Sequence, residues 1–230
     1  MRINYSIIPT ILAPDVAEIE GKLKMVKGIC PIVQIDFCDG LFVGNKTWPY
    51  FAGDEPSADT QLPFSGEFDF EFDLMIENPD IHVDSFLEMN PARVIFHIES
   101  TSEDGFLEAA EKAHEYESQI GIASSNLTNI SIVKERAHKL ESLGIKPFIQ
   151  VMGIDRVGFK GQPFDGRSLI RIAELRREFP ELDISVDGSV NAETLPKFKN
   201  AGANRFVVGS ALFMQKDIKV TLKKLQSLIK

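Results

Sequence analysis

Short apolar runs alternate along this chain with longer segments whose apolar residues recur at helical spacing. The runs over 3–9, 32–36, 68–74, 93–98, 119–123, 147–152, 182–187 and 204–208 read as strands. The segments over 16–26, 81–89, 105–116, 131–143, 167–179, 192–200 and 218–229 read as helices, the first with Asp15 as its N-cap. The strand runs are almost continuously apolar, as parallel strands buried on both faces should be. Strand then helix, about eight times over, predicts a (β/α)8 barrel. A doubly wound open sheet is the structural alternative, but no glycine-rich dinucleotide turn follows the first strand. No linker or shift of composition divides the chain, so one domain over 1–230 is expected. One stretch breaks the rhythm. Residues 46–67 hold Pro49, Gly53, Pro56, Pro63 and Gly66 among Trp48, Tyr50, Phe51 and Phe64, with no helix pattern. It reads equally as a functional lid or as a surface excursion held down by its aromatics.

Composition narrows the function. The 230 residues carry 25 Lys+Arg against 34 Asp+Glu, a formal charge of −9. No basic run supplies the charge that nucleic-acid or membrane-surface binding needs, so neither partner is expected. Cys30 and Cys38 are too few for a disulfide framework or a cysteine-rich zinc site. The sequence shows no signal-peptide run and no stretch near the roughly 20 apolar residues of a membrane span. A cytoplasmic location is the expectation.

In such a barrel the chemistry sits at the C-terminal ends of the strands. Those ends bring up Thr10, Gln34, Asp36, Asp39, Asp73, Met75, His97, Glu99, Met152 and Asp187. Gly188-Ser189 and Gly209-Ser210 follow the last two strands, where many barrels form a phosphate cup from backbone N–H groups. They also read as ordinary tight turns with N-caps. In the loop after the sixth strand, Lys160 either adds positive charge or is simply solvated. Asp36, Asp73 and Asp187 end three different strands. Singly, such an aspartate usually caps a helix. Three converging on one mouth would repel one another unless a cation, a proton or a donor intervenes, which marks a metal site or an acid/base pair. His82, His114 and His138 fall in helical segments, and only His97 lies on a strand. A metal would therefore meet mainly oxygen ligands, which suits Mg2+ or Mn2+ better than Zn2+.

Over nearly its whole length the chain resembles the ribulose-phosphate 3-epimerase family. Pro9-Thr10-Ile11-Leu12 with Asp15 is similar to its first strand, where the family normally has Ser at the position of Thr10. Gln34-Ile35-Asp36-Phe37-Cys38-Asp39-Gly40-Leu41-Phe42-Val43-Gly44-Asn45 resembles its His-x-Asp-x-Met-Asp-Gly-x-Phe-Val-Pro-Asn motif. Asp73-Leu74-Met75 with Pro79 resembles its His-Leu-Met motif, and Phe96-His97-Ile98-Glu99 its fourth strand. Gly158-Phe159-Lys160-Gly161-Gln162 with Phe164 resembles its Gly-Phe-Gly-Gly-Gln loop. Val186-Asp187-Gly188 and Val208-Gly209-Ser210-Ala211 match its last two strand signatures.

The resemblance implies a barrel of the ribulose-phosphate-binding type that inverts C3 of ribulose 5-phosphate, giving xylulose 5-phosphate through an enediolate. Asp36 and Asp187 would be the acid/base pair, with Met75 and Met152 against the enediolate. Thr10, Gly158, Gly161, Gly188, Ser189, Gly209 and Ser210 would complete the site for a phosphorylated ketose. A homo-oligomer is expected. Both family metal-ligand histidines are replaced, by Gln34 and Asp73. The ligand set becomes Gln34, Asp36, Asp73 and Asp187, fitting Mg2+ or Mn2+, and a metal-free site is the other expectation. Two alternatives compete. A decarboxylase on this scaffold uses Asp-x-Lys-x-x-Asp, and Asp36-Phe37-Cys38-Asp39 lacks the lysine, while a Schiff-base aldolase needs a strand lysine that no predicted strand interior holds. A non-catalytic or altered-specificity phosphosugar-binding barrel that lost the usual metal site would not need both aspartates.

Overall fold

The computed structural model describes residues 4–53, 55–57 and 60–230. Eight parallel strands close into a barrel in chain order, the last pairing with the first. They are β1 Ser6–Ile11, β2 Ile32–Cys38, β3 Asp69–Met75, β4 Arg93–His97, β5 Gln119–Ser124, β6 Phe148–Met152, β7 Ile184–Asp187 and β8 Arg205–Val208. Helices α1 Val16–Val26, α2 Pro79–Leu87, α3 Glu103–Glu115, α4 Ile130–Ser142, α5 Arg167–Glu178 and α6 Leu195–Ala201 follow β1 and β3 to β7. After β8 come a single turn, α7 Ser210–Phe213, and the closing helix α8 Ile218–Leu228. Aliphatic and aromatic faces of strands and helices merge in one core between sheet and helices.

Where strand limits differ from the sequence pattern, pairing explains the difference. The first strand begins later than expected and runs past Pro9, because Thr10 and Ile11 pair with Gln34 and Ile35 of β2. The predicted start at Ile3 lies outside the described residues. The second strand continues past Asp36 to Cys38, which pairs with Met75. Helix α6 starts three residues late, since the Asn191 side-chain Oδ1 accepts from the N–H groups of Glu193 and Thr194 in a turn of its own. The one-turn helix α7 went unpredicted.

The crossover from β2 to β3 carries no α-helix among the described residues, only a 3-10 turn at Tyr50–Ala52. Trp48 packs against Phe37 at 6.1 Å between ring centroids, and Tyr50 and Leu62 are buried. None of the described residues of 46–67 lines the main cavity. The aromatics therefore hold an excursion down. Its first residues also brace β2: the Thr47 hydroxyl donates to the Asp36 carbonyl and accepts from the Cys38 N–H, both at 2.8 Å.

The barrel interior is filled in layers. Near its N-terminal end, buried Glu71 of β3 pairs with Arg205 of β8 and, at 3.0 Å, with Arg93 of β4. Ile95, Ala123 and Phe148 form an apolar patch of their own. Towards the C-terminal end the filling turns acidic. The joint between β6 and β7 is tight there. The Gly153 N–H donates to the Asp187 carbonyl at 2.6 Å, and a Cβ on Gly153 would lie 2.1 Å from the Gly188 carbonyl oxygen. Gly188 itself has φ +94°, and a Cβ there would strike Ile154 at 2.7 Å. Gly153→Ala should therefore push the Gly188 turn outward and cost about 1–3 kcal/mol in stability, seen as a lower denaturant midpoint.

Candidate active site

Pleat and register bring the acidic side chains together. Residues two apart on a strand share a face, so Gln34 and Asp36 both point into the barrel from β2. Asp36 is in register with Asp73 of β3, and Met152 of β6 with Asp187 of β7. One carboxylate oxygen from each of Asp36, Asp73 and Asp187 lies within 4.8 Å of the others.

The side chain that ties them is Gln34, which is fully buried. Its Nε2 lies 2.9 Å from Asp36 Oδ1, 2.9 Å from Asp187 Oδ2, 3.5 Å from Asp73 Oδ2 and 3.4 Å from Thr10 Oγ1. An amide has two hydrogens for these four acceptors. The Thr10 hydroxyl donates to Asp36 Oδ1 at 2.7 Å. Asp73 sits deepest, held by His97 Nε2 at 3.0 Å on one oxygen and by Gln150 Nε2 at 2.9 Å on the other.

This enclosure sets the proton affinities. Burial pushes the Asp36 carboxyl up to about 6, with the Asp73 charge adding to it and the bonds from Gln34 and Thr10 opposing. Burial also drives Asp187 well above the usual carboxylate range, reinforced by Asp36 and Asp73, although it keeps some accessible surface towards the cavity. At His97 burial opposes a charge, but the neighbouring Asp73 carboxylate outweighs it, and the imidazole is pushed up. Both carboxyls of the pair are thus held towards their protonated forms by burial and by each other's charge.

Above the cluster opens a cavity of about 650 Å³. Asp36 and Asp187 reach its surface, while Gln34 and Asp73 lie beneath, fully buried. Thr10, Met75 and Met152 line it near the carboxylates. Gly158 and Gly161 come to it from the β6–α5 loop, and the turns Gly188-Ser189 and Gly209-Ser210 from the ends of β7 and β8. Asp39 and Glu99, also read from strand ends, stand outside the cluster. Asp39 accepts the N–H groups of Leu41, Phe42 and Glu77, and Glu99 accepts from Ser125 and Thr128.

Sequence reasoning missed the support of Asp73 by His97 and Gln150. The signal was available for Gln150, which stands two residues before Met152 on the same face of β6. His97 is read among the strand ends at the mouth, and nothing in the local pattern says that it turns to Asp73.

The cluster fits a cation. Three carboxylates have oxygens within 4.8 Å of one another, a span of the size of an oxygen-coordinated divalent ion. The Gln34 Oε1 atom is buried without a partner, a fourth oxygen that an amide turned over would present.

Fold and floor together define a (β/α)8 barrel protein with a carboxylate-based cavity at its C-terminal mouth. A sequence model of the ribulose-phosphate 3-epimerase family matches residues 6–213, and the chain belongs to that family. It is 31% identical over 222 residues to a ribulose-phosphate 3-epimerase of Eremothecium gossypii, covering 93% of this chain and 88% of the relative. It is 29% identical over 226 residues to that of Aquifex aeolicus, covering 96% and 95%. Among solved structures, the 3-keto-L-gulonate-6-phosphate decarboxylase of Vibrio cholerae superimposes with a TM-score of 0.70 at 13% identity, covering 98% of this chain and 97% of that one. That likeness speaks for the fold alone.

The raised carboxyls carry a stability signature. Folded Asp36 and Asp187 bind protons that the unfolded chain, with its aspartates near about 3.9, has released. Their contribution to stability is fully present below that value and is lost as pH rises through the folded values, about 6 for Asp36. In chelator, the melting temperature of Asp187→Asn relative to wild type should therefore rise as pH increases from about 4. A difference that stays flat with pH would contradict the burial argument.

Proposed function

We propose that this chain is a ketose-phosphate 3-epimerase that interconverts D-ribulose 5-phosphate and D-xylulose 5-phosphate, or a close analogue, by 1,1-proton transfer through an enediolate. One observation carries the reading. Asp36 and Asp187, from β2 and β7, face one cavity while bonded to the same amide nitrogen at 2.9 Å each. Inversion at a carbon needs a base on one face and an acid on the other, and distant strands of a barrel supply them.

The raised affinity of both carboxyls, strongest by cause at Asp187, supports a division of roles. Asp36, as carboxylate, takes the C3 proton. Asp187, as carboxylic acid, gives its proton to the opposite face. The products are the epimer, a protonated Asp36 and an ionised Asp187, which is the starting state for the reverse reaction. Gln34 and Thr10 hold the Asp36 oxygen in place, and His97 with Gln150 keeps Asp73 fixed beneath. Met75 and Met152 provide a dry, polarisable wall for the flat enediolate.

Gln34, Asp36, Asp73 and Asp187 would hold a divalent cation, Mg2+ or Mn2+ in preference to Zn2+, because the donors are oxygens only. Such a cation would stabilise the negative charge that develops on the substrate oxygens. The phosphate of the ketose would lie at the turns Gly188-Ser189 and Gly209-Ser210 with Gly158 and Gly161. We take residues 1–230 as one functional domain, acting as a homo-oligomer in the cytoplasm.

Incubation with ribulose 5-phosphate in D2O, followed by NMR, tests the reaction. The expected outcome is deuterium at C3 together with xylulose 5-phosphate. Carbon dioxide, a cleavage product, or binding without exchange would exclude the epimerase reading. Asp36→Asn and Asp187→Asn should each reduce turnover about a thousandfold with little change in circular dichroism. Near-wild-type rates in either would remove the two-base assignment. Elemental analysis of protein purified without chelator should find Mg or Mn, and stoichiometric Zn would contradict the oxygen-donor argument.

A further inference from the structure

The cavity poses an electrostatic problem for an anionic ligand. Asp36 and Asp187 stand at its floor, Glu18 lines its rim, and the whole chain carries a charge of −9. Among the described residues, the cationic side chains lining it are Lys22 of α1 and Lys160 of the β6–α5 loop. The two come from separate elements and meet on one carboxylate. Glu18 Oε1 lies 2.5 Å from Lys22 Nζ and 3.8 Å from Lys160 Nζ.

Lys22 is well placed and restrained. Its side chain is only 17% exposed, it sits one helical turn after Glu18, and its amine lies 5.7 Å from the centre of the Phe213 ring. Phe213 ends α7, the turn that begins at Ser210, so Lys22 leans towards the Gly209-Ser210 side of the cavity. Lys160 occupies the position where the family loop has a glycine. Burial and the nearby Lys22 amine make it easier to deprotonate than an ordinary lysine, with Glu18 partly offsetting them. Two amines therefore share one monoanion, an arrangement that a dianion satisfies better.

We propose that Lys22 and Lys160 form the anion-binding clamp of this cavity, with Glu18 as a resident stand-in whose hold on the amines the substrate's phosphate takes over. The proposal rests on the phosphorylated-ketose reading and adds a specificity element to it. In the free protein Glu18 keeps the amines gathered at the rim. A phosphate dianion at the glycine–serine turns draws them inward and leaves Glu18 to solvent. Neutral sugars gain nothing from the exchange, so the clamp selects for the phosphorylated ligand.

The probe is inorganic phosphate, with affinity measured by calorimetry in wild type, Lys22→Met, Lys160→Ala, Lys160→Arg and Glu18→Gln. Losing either amine should weaken phosphate binding about tenfold. In turnover with ribulose 5-phosphate, KM should rise by a similar factor while kcat stays within about twofold. Lys160→Arg should recover most of the loss. Glu18→Gln should tighten phosphate binding about threefold, because a competing anion has been removed. A purely structural role for the trio would weaken binding in all three charge-removing variants, and that pattern overturns the clamp. So does unchanged phosphate affinity in Lys160→Ala, whose site in an exposed loop leaves the fold intact. The two readings separate cleanly. A protein that binds phosphate with opposite signs for lysine and glutamate changes, yet does not epimerise, keeps the clamp and loses the reaction. One that epimerises with KM indifferent to the lysines does the reverse.

Discussion

Three aspartates crowd into a space that ordinary electrostatics would clear. Their oxygens approach within 4.8 Å inside a barrel, and the side chains that permit it are Gln34, Thr10, Gln150 and His97, the last with its imidazole pushed towards the charged form. Each supplies a hydrogen bond where water would otherwise be needed. Gln34 is the hinge of the arrangement, since its one nitrogen reaches towards all three carboxylates. Remove it, and two buried acids lose their shared donor at once. Many other features of the site follow from that crowding, including the raised carboxyl affinities and the room for a cation.

The same crowding connects structure to reaction. Two isolated, solvated carboxylates would make a poor epimerase, because both would be bases at neutral pH. Unequal enclosure splits them. Asp36 is restrained by bonds from Gln34 and Thr10, whereas burial, with the charges of Asp36 and Asp73 added, drives Asp187 well above the usual carboxylate range. One fold thereby places two carboxyls of raised proton affinity beside one cavity, joined through an amide and not a histidine. With Gln34 and Asp73 at two of its positions, the cluster on the cavity floor offers oxygen donors from three carboxylates.

Much of this was legible in the chain. Period-free apolar runs followed by amphipathic segments identify a barrel, because strands covered on both faces need no polar side. Asp36, Asp73 and Asp187 could be read as converging once the barrel was accepted, since strand ends share one mouth. The limits of legibility were those of pairing and rotamer. That β2 runs on to Cys38 depends on its partner Met75, which lies 37 residues away in sequence. That Asn191 delays α6 depends on a side chain choosing a turn over a helix. The meeting of Lys22 with Lys160 depends on a loop folding back over the first helix, and neither sequence neighbourhood hints at it.

The ion pair of Glu71 with Arg205 and Arg93 has a consequence for isotopes. It fills the N-terminal end of the barrel between β3, β4 and β8, and the apolar patch of Ile95, Ala123 and Phe148 adds to the plug. Among the described residues, the acids meet the open cavity at the opposite end. A ligand seated in that opening stands between the acids and bulk water. In the two-base reading, label lifted onto one acid can go back only to the face it left until the ligand departs, so the fraction of tritium kept in recovered substrate becomes a clock for how long the opening stays covered.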